Sequence, residues 1–169
     1  MTTLTGSHPR VRPLAAADEA AWQELWAGYL AFYRQALGSD VTAATWRRLI
    51  DPALPDMIGR VAEVDGRVVG ILHAVIHPNT WSLAPLCYLE DLFVAPAMRG
   101  RGVGGALILS LAEEGRRARW RRIYWRTASD NATAQRLYDR EARRSGWVTY
   151  ELDLVDPAAP ARGGPTGAY

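Results

Sequence analysis

The sequence contains no lysine, and arginine therefore supplies all 20 of its basic residues. This absence excludes enzymes that form a Schiff base through a lysine side chain. It also excludes the P-loop nucleotide-binding enzymes, whose motif requires a lysine beside the phosphates. The formal net charge is only +2, which is too small to favour a nucleic-acid-binding protein. We therefore expect no nucleic-acid partner.

Cysteine is almost as scarce, because Cys87 is the only one. An internal disulfide is therefore impossible, which suits a reducing compartment. The first ten residues lack the apolar core of a secretory signal peptide. No run approaches the roughly 18 apolar residues that a membrane-spanning helix needs. The sequence thus predicts a soluble, cytoplasmic protein with no membrane partner.

The length of 169 residues fits one domain with a substantial core. We expect this domain to span residues 8–155, since neither an internal repeat nor a second domain is evident. The remaining segment, 156–169, is rich in proline, glycine and alanine. That composition is typical of a disordered tail.

Apolar periodicity and turn residues predict the element order β-α-α-β-β-β-α-β-α-β. The Asp65-Gly66 pair between two apolar runs predicts a tight hairpin. Such an order gives a mixed sheet with helices on both faces, an α/β (α+β mixed) fold. The predicted strands are 9–14, 60–64, 67–76, 87–94, 122–128 and 147–155, and the predicted helices are 19–37, 42–51, 103–118 and 130–144.

A glycine-rich segment, RGRGVGG at 99–105, follows the strand 87–94. One interpretation is a tight turn in which glycines supply positive φ. A second is a dinucleotide-binding fingerprint, although other residues separate the strand from the first glycine and the ribose-binding acid is missing. The third is a pyrophosphate site at a helix N-terminus, where N–H groups are unpaired and no acid follows until Glu113. In the third interpretation, Arg99 and Arg101 add positive charge to the site.

RGRGVG resembles the R/Q-x-x-G-x-G/A motif of the GNAT (GCN5-related) N-acetyltransferases, with Arg99, Gly102 and Gly104 at its fixed positions. The resemblance extends over residues 10–154 and includes YLEDLFV before the turn and DNATAQRLYDR after it. Within the family, the sequence is most similar to the Hpa2/Hpa3-type branch. The resemblance implies a twisted, mostly antiparallel sheet of six to seven strands. It also implies acetyl-CoA as the acetyl donor and an amine as the acceptor.

The resemblance further implies where acetyl-CoA lies. The strands 88–94 and 122–128 would splay apart, and the pantetheine arm would pair with backbone groups between them. The Val94 amide would polarise the thioester carbonyl. No metal is expected, because His73 and His77 have no cysteine or acid at ligand spacing. The residues implied to contact acetyl-CoA are Leu92, Phe93, Val94, Arg99, Gly100, Arg101, Gly102, Val103, Gly104, Gly105, Asn131, Ala134 and Tyr138.

Two carboxylates, Glu90 and Asp91, interrupt the apolar strand before the turn. Strand alternation predicts that they point to opposite faces of the sheet. Exposure or pairing with an arginine is the simpler interpretation, and we favour it for Asp91. An alkylamine has a pKa of about 10.4 and arrives protonated, so a base must remove its proton before it attacks. The resemblance assigns that role to Glu90.

Tyr138 shares one face of the predicted fourth helix with apolar residues. The pattern alone indicates a core aromatic side chain. The resemblance instead places Tyr138 beside the CoA sulfur, where it would protonate the leaving thiolate. Asn131 would hydrogen-bond the pantetheine arm, and it is equally suited to cap the helix.

The acceptor pocket is the least patterned part of the sequence. The first helix carries an aromatic stripe that we expect to be mostly core. The resemblance implies that Trp26, Tyr29 and Tyr33, together with Glu90, line this pocket. We expect a small-molecule primary amine that attacks acetyl-CoA directly in a ternary complex. The alternatives are a protein or peptide amine as acceptor, or an acyl-CoA-binding module without catalysis.

The segment 147–155, WVTYELDLV, is predicted to form the last strand because apolar residues recur along it. A last strand can pair with a neighbouring subunit or exchange with it. We therefore expect a homodimer.

Overall fold

A five-stranded sheet with helices on both faces organises the computed structural model, which describes residues 8–152 and 154. The predicted tail at 156–169 lies outside the described residues. The strands are β1 (Arg10–Pro13), β2 (Met57–Val64), β3 (Arg67–His77), β4 (Leu86–Val94) and β5 (Arg122–Tyr124). The helices are α1 (Glu19–Phe32), α2 (Ser39–Ile50), α3 (Val103–Arg117) and α4 (Ala132–Glu141).

The strands lie in chain order across the sheet. All neighbours are antiparallel except β4 and β5, which are parallel. The predicted α/β fold is confirmed, but the predicted number of strands is too high for the described residues. The strand expected at 122–128 ends at Tyr124, and residues 147–152 form no strand. The fourth helix also ends earlier than predicted, at Glu141.

The hairpin between β2 and β3 turns at Asp65 and Gly66, as predicted. Both residues have positive φ, 51° and 74°. Two consecutive left-handed residues are what a tight type I′ turn requires, and the Asp-Gly pair adopts this conformation readily. The turn fixes the register between β2 and β3.

Two apolar clusters fill the space between the sheet and its helices. One lies between the sheet and α3, and it includes Cys87, Leu89 and Leu107. The other lies between the sheet and the helices α1 and α2, and it is built around Trp22 and Phe93. These two layers define an α3 face and an α1 face of the sheet.

A β-bulge interrupts the pairing of β3 with β4. His73 lies opposite Asp91, whereas the next residue, Ala74, lies opposite Leu89. Glu90 is therefore the extra residue on β4. Such a bulge bends the strand and breaks its alternation.

The bulge lies just beyond the last contact between β4 and β5, which pair only from Leu86↔Arg122 to Tyr88↔Tyr124. Because β4 bends away at this point, residues 125–128 have no strand beside them. A gap therefore opens between the carboxyl end of β4 and the chain that follows β5. No helix within the described residues is long and apolar enough to cross a membrane.

Candidate active site

A groove of about 960 Å³ lies where β4 ends, and the start of α3, the end of α1 and helix α4 form its other walls. Fourteen of the residues predicted from the sequence line it. Arg101, Trp26 and Glu90 do not. The predicted residues along the groove are Tyr29, Tyr33, Leu92, Phe93, Val94, Arg99, Gly100, Gly102, Val103, Gly104, Gly105, Asn131, Ala134 and Tyr138.

No side chain among the described residues caps the start of α3. Gly102 is the N-cap, with a φ of 79°, and it makes no side-chain capping bond. The first turn of the helix has no acidic residue. A Cβ atom added at Gly100 or Gly102 would meet no other atom within 4 Å. The turn therefore presents unpaired N–H groups and the positive end of the helix dipole to the groove, which suits a phosphate.

Arg99 lies on the groove wall in a defined position. Its Nε donates to the carbonyl oxygen of Val94 at 3.1 Å. Its guanidinium lies 5.6 Å from the ring centroid of Phe32 and 5.4 Å from that of Phe93. The sequence placed this charge with the glycine turn, whereas the structure places it against two aromatic rings and the end of β4.

Further positive charge comes from α4, where Arg136 and Arg140 line the groove. Neither residue was predicted from the sequence. Their spacing of four places them on one face of the helix, so this pattern could have identified them. Together with Arg34 at the end of α1, they give the groove a cationic rim that suits a polyanionic ligand.

The backbone of β4 supplies hydrogen-bonding groups to the gap beside β5. Ala95 donates its N–H to Val69 on β3 at 2.9 Å. Because successive residues of a strand direct their N–H groups to opposite sides, the amides of Leu92 and Val94 point away from β3. These amides face the gap and could pair with an extended ligand there, as an additional strand would.

Tyr138 brings a half-buried hydroxyl into the groove from α4. Its ring contacts Trp125 edge to face, with the centroids 5.4 Å apart. Burial raises the pKa of Tyr138 to about 12, and the neighbouring Tyr33 adds to the shift. The hydroxyl therefore keeps its proton at neutral pH and is available as a donor.

Asn131 starts α4 and lies at the groove. Its side-chain oxygen accepts from the backbone N–H of Ala134 at 3.1 Å. The predicted capping role is confirmed by this bond. A contact with the pantetheine arm stays a prediction.

The bulge places both strand carboxylates on the α1 face, and the prediction of opposite faces is wrong. Leu89 packs in the α3-side cluster, and so does Leu92 at its margin. Glu90 directly follows Leu89 and Asp91 directly precedes Leu92, and neighbouring residues of a strand point to opposite faces. Glu90 and Asp91 therefore both point to the α1 face. Asp91 also does not pair with an arginine, since its partner is His73.

The two carboxylates differ in their surroundings. Glu90 is exposed beside the groove. Desolvation by the surrounding protein nevertheless raises the pKa of Glu90, and the negative charge of Asp91 raises it further. A carboxylate with a raised pKa is a better proton acceptor than an ordinary glutamate.

The aromatic residues of α1 form a continuous stack that leads to the groove. Tyr29 stacks on Trp26 with the ring centroids 5.3 Å apart and contacts Tyr33 edge to face at 5.0 Å. Trp26 is buried behind Tyr29, and its Nε1 has no hydrogen-bond partner. The structure thus places Trp26 behind the groove wall rather than on it.

Cys87 lies on β4 near the groove but is fully buried. Burial raises the pKa of its thiol to about 12, so the nucleophilic thiolate is scarce at neutral pH. Among residues 8–152 and 154, no group of three or more histidine, cysteine or acidic side chains could hold a metal ion.

Comparison with known proteins agrees with this architecture. Residues 19–142 match the model of the acetyltransferase (GNAT) family. The D-amino-acid N-acetyltransferase HPA3 of Saccharomyces cerevisiae is 30% identical over 143 residues, which cover 83% of this chain and 88% of the relative. The uncharacterised N-acetyltransferase YhfO of Bacillus subtilis is 27% identical over 146 residues, covering 85% of this chain and 97% of the relative.

Solved structures show the same fold. A probable acetyltransferase superposes with a TM-score of 0.78 at 20% identity, covering 87% of this chain and 99% of the other. The structure of AAC(6')-Iy with the bisubstrate analogue CoA-S-monomethyl-acetylneamine has a TM-score of 0.73 at 21% identity, covering 88% and 100%. The family resemblance inferred from the glycine turn is thereby confirmed. This chain belongs to the GNAT family of acetyltransferases, and its activity is that of an acyltransferase.

Proposed function

We propose that the protein transfers the acetyl group of acetyl-CoA to the primary amine of a small molecule. One observation carries this proposal. A single groove joins the uncapped start of α3, the open edge of β4 and the hydroxyl of Tyr138, and the bulge carboxylates lie beside it. These features match the diphosphate, the pantetheine arm, the thioester and the incoming amine in turn.

The residues of the groove divide the binding of acetyl-CoA among them. The amides after Gly102 would hold the pyrophosphate, and the cationic rim of Arg136 and Arg140 would neutralise its charge. The amides of Leu92 and Val94 would pair with the pantetheine arm. At the end of that arm, the Val94 N–H would stabilise the negative charge that develops on the thioester oxygen.

The chemistry needs one base and one acid. Glu90, acting directly or through a water, takes a proton from the ammonium of the acceptor. The free amine nitrogen then attacks the thioester carbonyl, so that a C–N bond forms and the C–S bond breaks. Tyr138 donates its proton to the departing sulfur, and the second proton that leaves the nitrogen as the amide forms returns to the tyrosine oxygen through water. The products are the acetylated amine and CoA.

We further propose that transfer is direct, without an acetyl-enzyme intermediate. A covalent route would need a nucleophile close to the thioester. Cys87 is the only cysteine, and its buried thiol has a pKa of about 12. Initial rates measured over a grid of both substrates should therefore give intersecting lines, whereas parallel lines would indicate a covalent intermediate.

The acceptor that we favour is an amino acid. The yeast relative HPA3 is a D-amino-acid N-acetyltransferase. Close to Glu90, the charge of Arg126 opposes the rise in the pKa of that carboxyl. Arg126 pairs with Glu151 in the structure. If it exchanged Glu151 for the carboxylate of the substrate, the site would offer an acid for the ammonium and an arginine for the carboxylate, which suits an α-amino acid.

The proposal is tested by measuring CoA release with a thiol reagent. Acetyl-CoA is held constant, and the amines are paired D- and L-amino acids, their methyl esters, a polyamine and a lysine peptide. We expect amino acids to turn over and esters to react more weakly, because an ester lacks the charge that Arg126 would bind. Turnover of the lysine peptide alone would favour a protein substrate. Binding of acetyl-CoA without release of CoA with any amine would indicate a non-catalytic module.

We also propose that the protein is a homodimer. The outer edge of β5 has no strand beside it among the described residues. The segment that begins at Trp147 exposes apolar side chains, and Trp147 itself is 77% exposed. A strand from a second copy would cover both features at once.

A further inference from the structure

A chain of hydrogen bonds runs from the core to the bulge and has no part in the chemistry described above. The indole Nε1–H of Trp22 donates to Nε2 of His73 at 2.8 Å. On the other side of the imidazole, Nδ1 of His73 lies 2.9 Å from Oδ2 of Asp91. Trp22 is fully buried and His73 is 3% exposed, whereas 18% of the Asp91 side chain is exposed. These hydrogen bonds thus link Trp22, which is buried in the core, to Asp91, which is partly exposed beside the proposed acceptor site.

The geometry fixes the protonation of the imidazole. An indole N–H can only donate, so Nε2 of His73 must be the nitrogen without a proton. The proton of the neutral ring therefore lies on Nδ1, which donates to Asp91. Trp22 thereby selects the one tautomer of His73 that can hold the carboxylate.

The imidazole and the carboxylate are both held in place. His73 packs against the rings of Trp22 and Trp26, with centroids 5.9 Å and 5.4 Å away. From the groove side, Tyr29 lies close to Asp91: burial raises the pKa of the Tyr29 hydroxyl, and the charge of this carboxylate raises it further. Asp91 is therefore held by a donor from the core, His73, whose ring is itself fixed by packing and by Trp22.

We propose that His73 is a positioning residue that fixes Asp91 beside Glu90, so that the two carboxylates bind the ammonium of the acceptor together. The inference rests on the proposed acetyl transfer. Glu90 accepts the proton, while Asp91 keeps its position throughout. The bulge makes the pair possible, because it places two consecutive acidic residues on the same face.

The pair lies among other titratable groups, and each contributes to its pH response. Desolvation raises the pKa of Glu90, the charge of Asp91 raises it further, and the charge of Arg126 lowers it. Burial also raises the pKa values of Tyr29 and Tyr124, and the charge of Glu90 adds to both shifts. The groups that face Glu90 are Asp91 on β4, His73 on β3, Tyr29 on α1, Tyr124 on β5 and Arg126 after β5.

Two substitutions at His73 separate positioning from packing. In His73→Asn the amide nitrogen can take the place of Nδ1 and still donate to Asp91, but the acceptor for Trp22 is lost. In His73→Gln the amide oxygen can take the place of Nε2 and accept from Trp22, but the donor to Asp91 is lost. A purely structural role predicts that the activity of both variants follows their melting temperatures.

We expect instead that the activities of the two variants will not follow their melting temperatures. In His73→Gln the KM for the amine should rise by about 10- to 100-fold, as expected when one hydrogen bond to a charged group is lost. Its KM for acetyl-CoA should not change. His73→Asn should keep most of its affinity for the amine even where its melting temperature is the lower of the two. Equal losses, or losses that follow stability, would overturn the inference.

Two further measurements complete the test. Asp91→Asn should move the acidic limb of kcat/KM to lower pH, because it removes a charge that raises the pKa of Glu90; an unmoved limb would count against the pair. In the wild-type protein, ¹⁵N NMR should show the Nδ1–H tautomer of His73, and the Nε2–H tautomer would overturn the inference. If the wild type transfers acetyl groups but the effects expected for the variants and for the His73 tautomer are absent, this inference is wrong and the proposed function stands. If the wild type transfers no acetyl group to any amine, the proposed function is wrong as well.

Discussion

At the scale of single residues, the surroundings of two side chains bias both proton transfers. Burial keeps the hydroxyl of Tyr138 protonated, with a pKa of about 12, and desolvation makes Glu90 a stronger base than usual. The sequence indicated the identities of these two residues through a family motif. It could not indicate that Glu90 and Asp91 share a face, because a bulge depends on pairing with β3 and leaves no pattern in β4 itself.

Replacing Tyr138 by phenylalanine removes the proposed acid and keeps the ring that packs on Trp125. We expect kcat to fall on the order of 100-fold, the usual contribution of a general acid. The affinity for acetyl-CoA, measured by calorimetry, should change little. A variant with wild-type kcat would exclude Tyr138 from the chemistry.

Glu90→Gln tests the base through the pH profile. Because the pKa of Glu90 is raised, the wild-type carboxylate is lost as the pH falls through a value above that of an ordinary glutamate. Activity should therefore decline on the acidic side in the wild type. In the variant, kcat/KM for the amine should be low and should no longer show this decline. An acidic limb identical to that of the wild type would assign it to another group.

At the scale of elements, prediction succeeded where the chemistry of a turn is local. Asp65 and Gly66 specify their hairpin by themselves, since both adopt positive φ at little energetic cost. The strands 122–128 and 147–155 were predicted from composition and alternation, which do not reveal whether a partner strand is present. Residues 125–128 lack one because β4 bends away from them, and residues 147–152 lie exposed.

The glycine turn before α3 offers a test with a matched control. Gly102 and Gly66 both have positive φ, and a Cβ added at either would meet no other atom within 4 Å. Substitution by alanine should therefore destabilise each by about 1 to 2 kcal/mol. Only Gly102→Ala places a methyl group where the diphosphate would lie.

We accordingly expect similar melting temperatures for Gly102→Ala and Gly66→Ala, but different affinities for acetyl-CoA. Calorimetry should show a Kd raised on the order of 10-fold for Gly102→Ala, equivalent to one lost hydrogen bond to a charged group. Gly66→Ala should bind like the wild type. If the two variants bind acetyl-CoA equally well, the start of α3 is not the diphosphate site.

At the scale of the whole molecule, the edge of the sheet formed by β5 has no neighbouring strand among the described residues. Tyr150, Leu152 and Leu154 are 91%, 84% and 87% exposed, although their alternation is typical of a strand with one buried face. A monomer rarely leaves such a segment uncovered. A second copy supplies the missing cover if the segment pairs across the subunit boundary.

The double variant Tyr150→Asp and Leu152→Asp should therefore be a monomer. Sedimentation velocity should show a dimer for the wild type and half that mass for the variant, because two charges cannot enter an apolar interface without penalty. Leu83→Asp is the control, since Leu83 is fully exposed in the loop before β4 and should leave the dimer intact. A wild type that stays monomeric at every concentration would refute the dimer.

Arg99 occupies one hydrogen-bonding group of the groove wall, the carbonyl oxygen of Val94. While the Arg99 guanidinium donates to the Val94 carbonyl oxygen, a ligand that binds the same oxygen must displace it. The ligand then gains only the difference in free energy between the two hydrogen bonds. On the proposed function, the arginine would return to this carbonyl as CoA leaves. Such an exchange would favour the release of CoA over its tight binding.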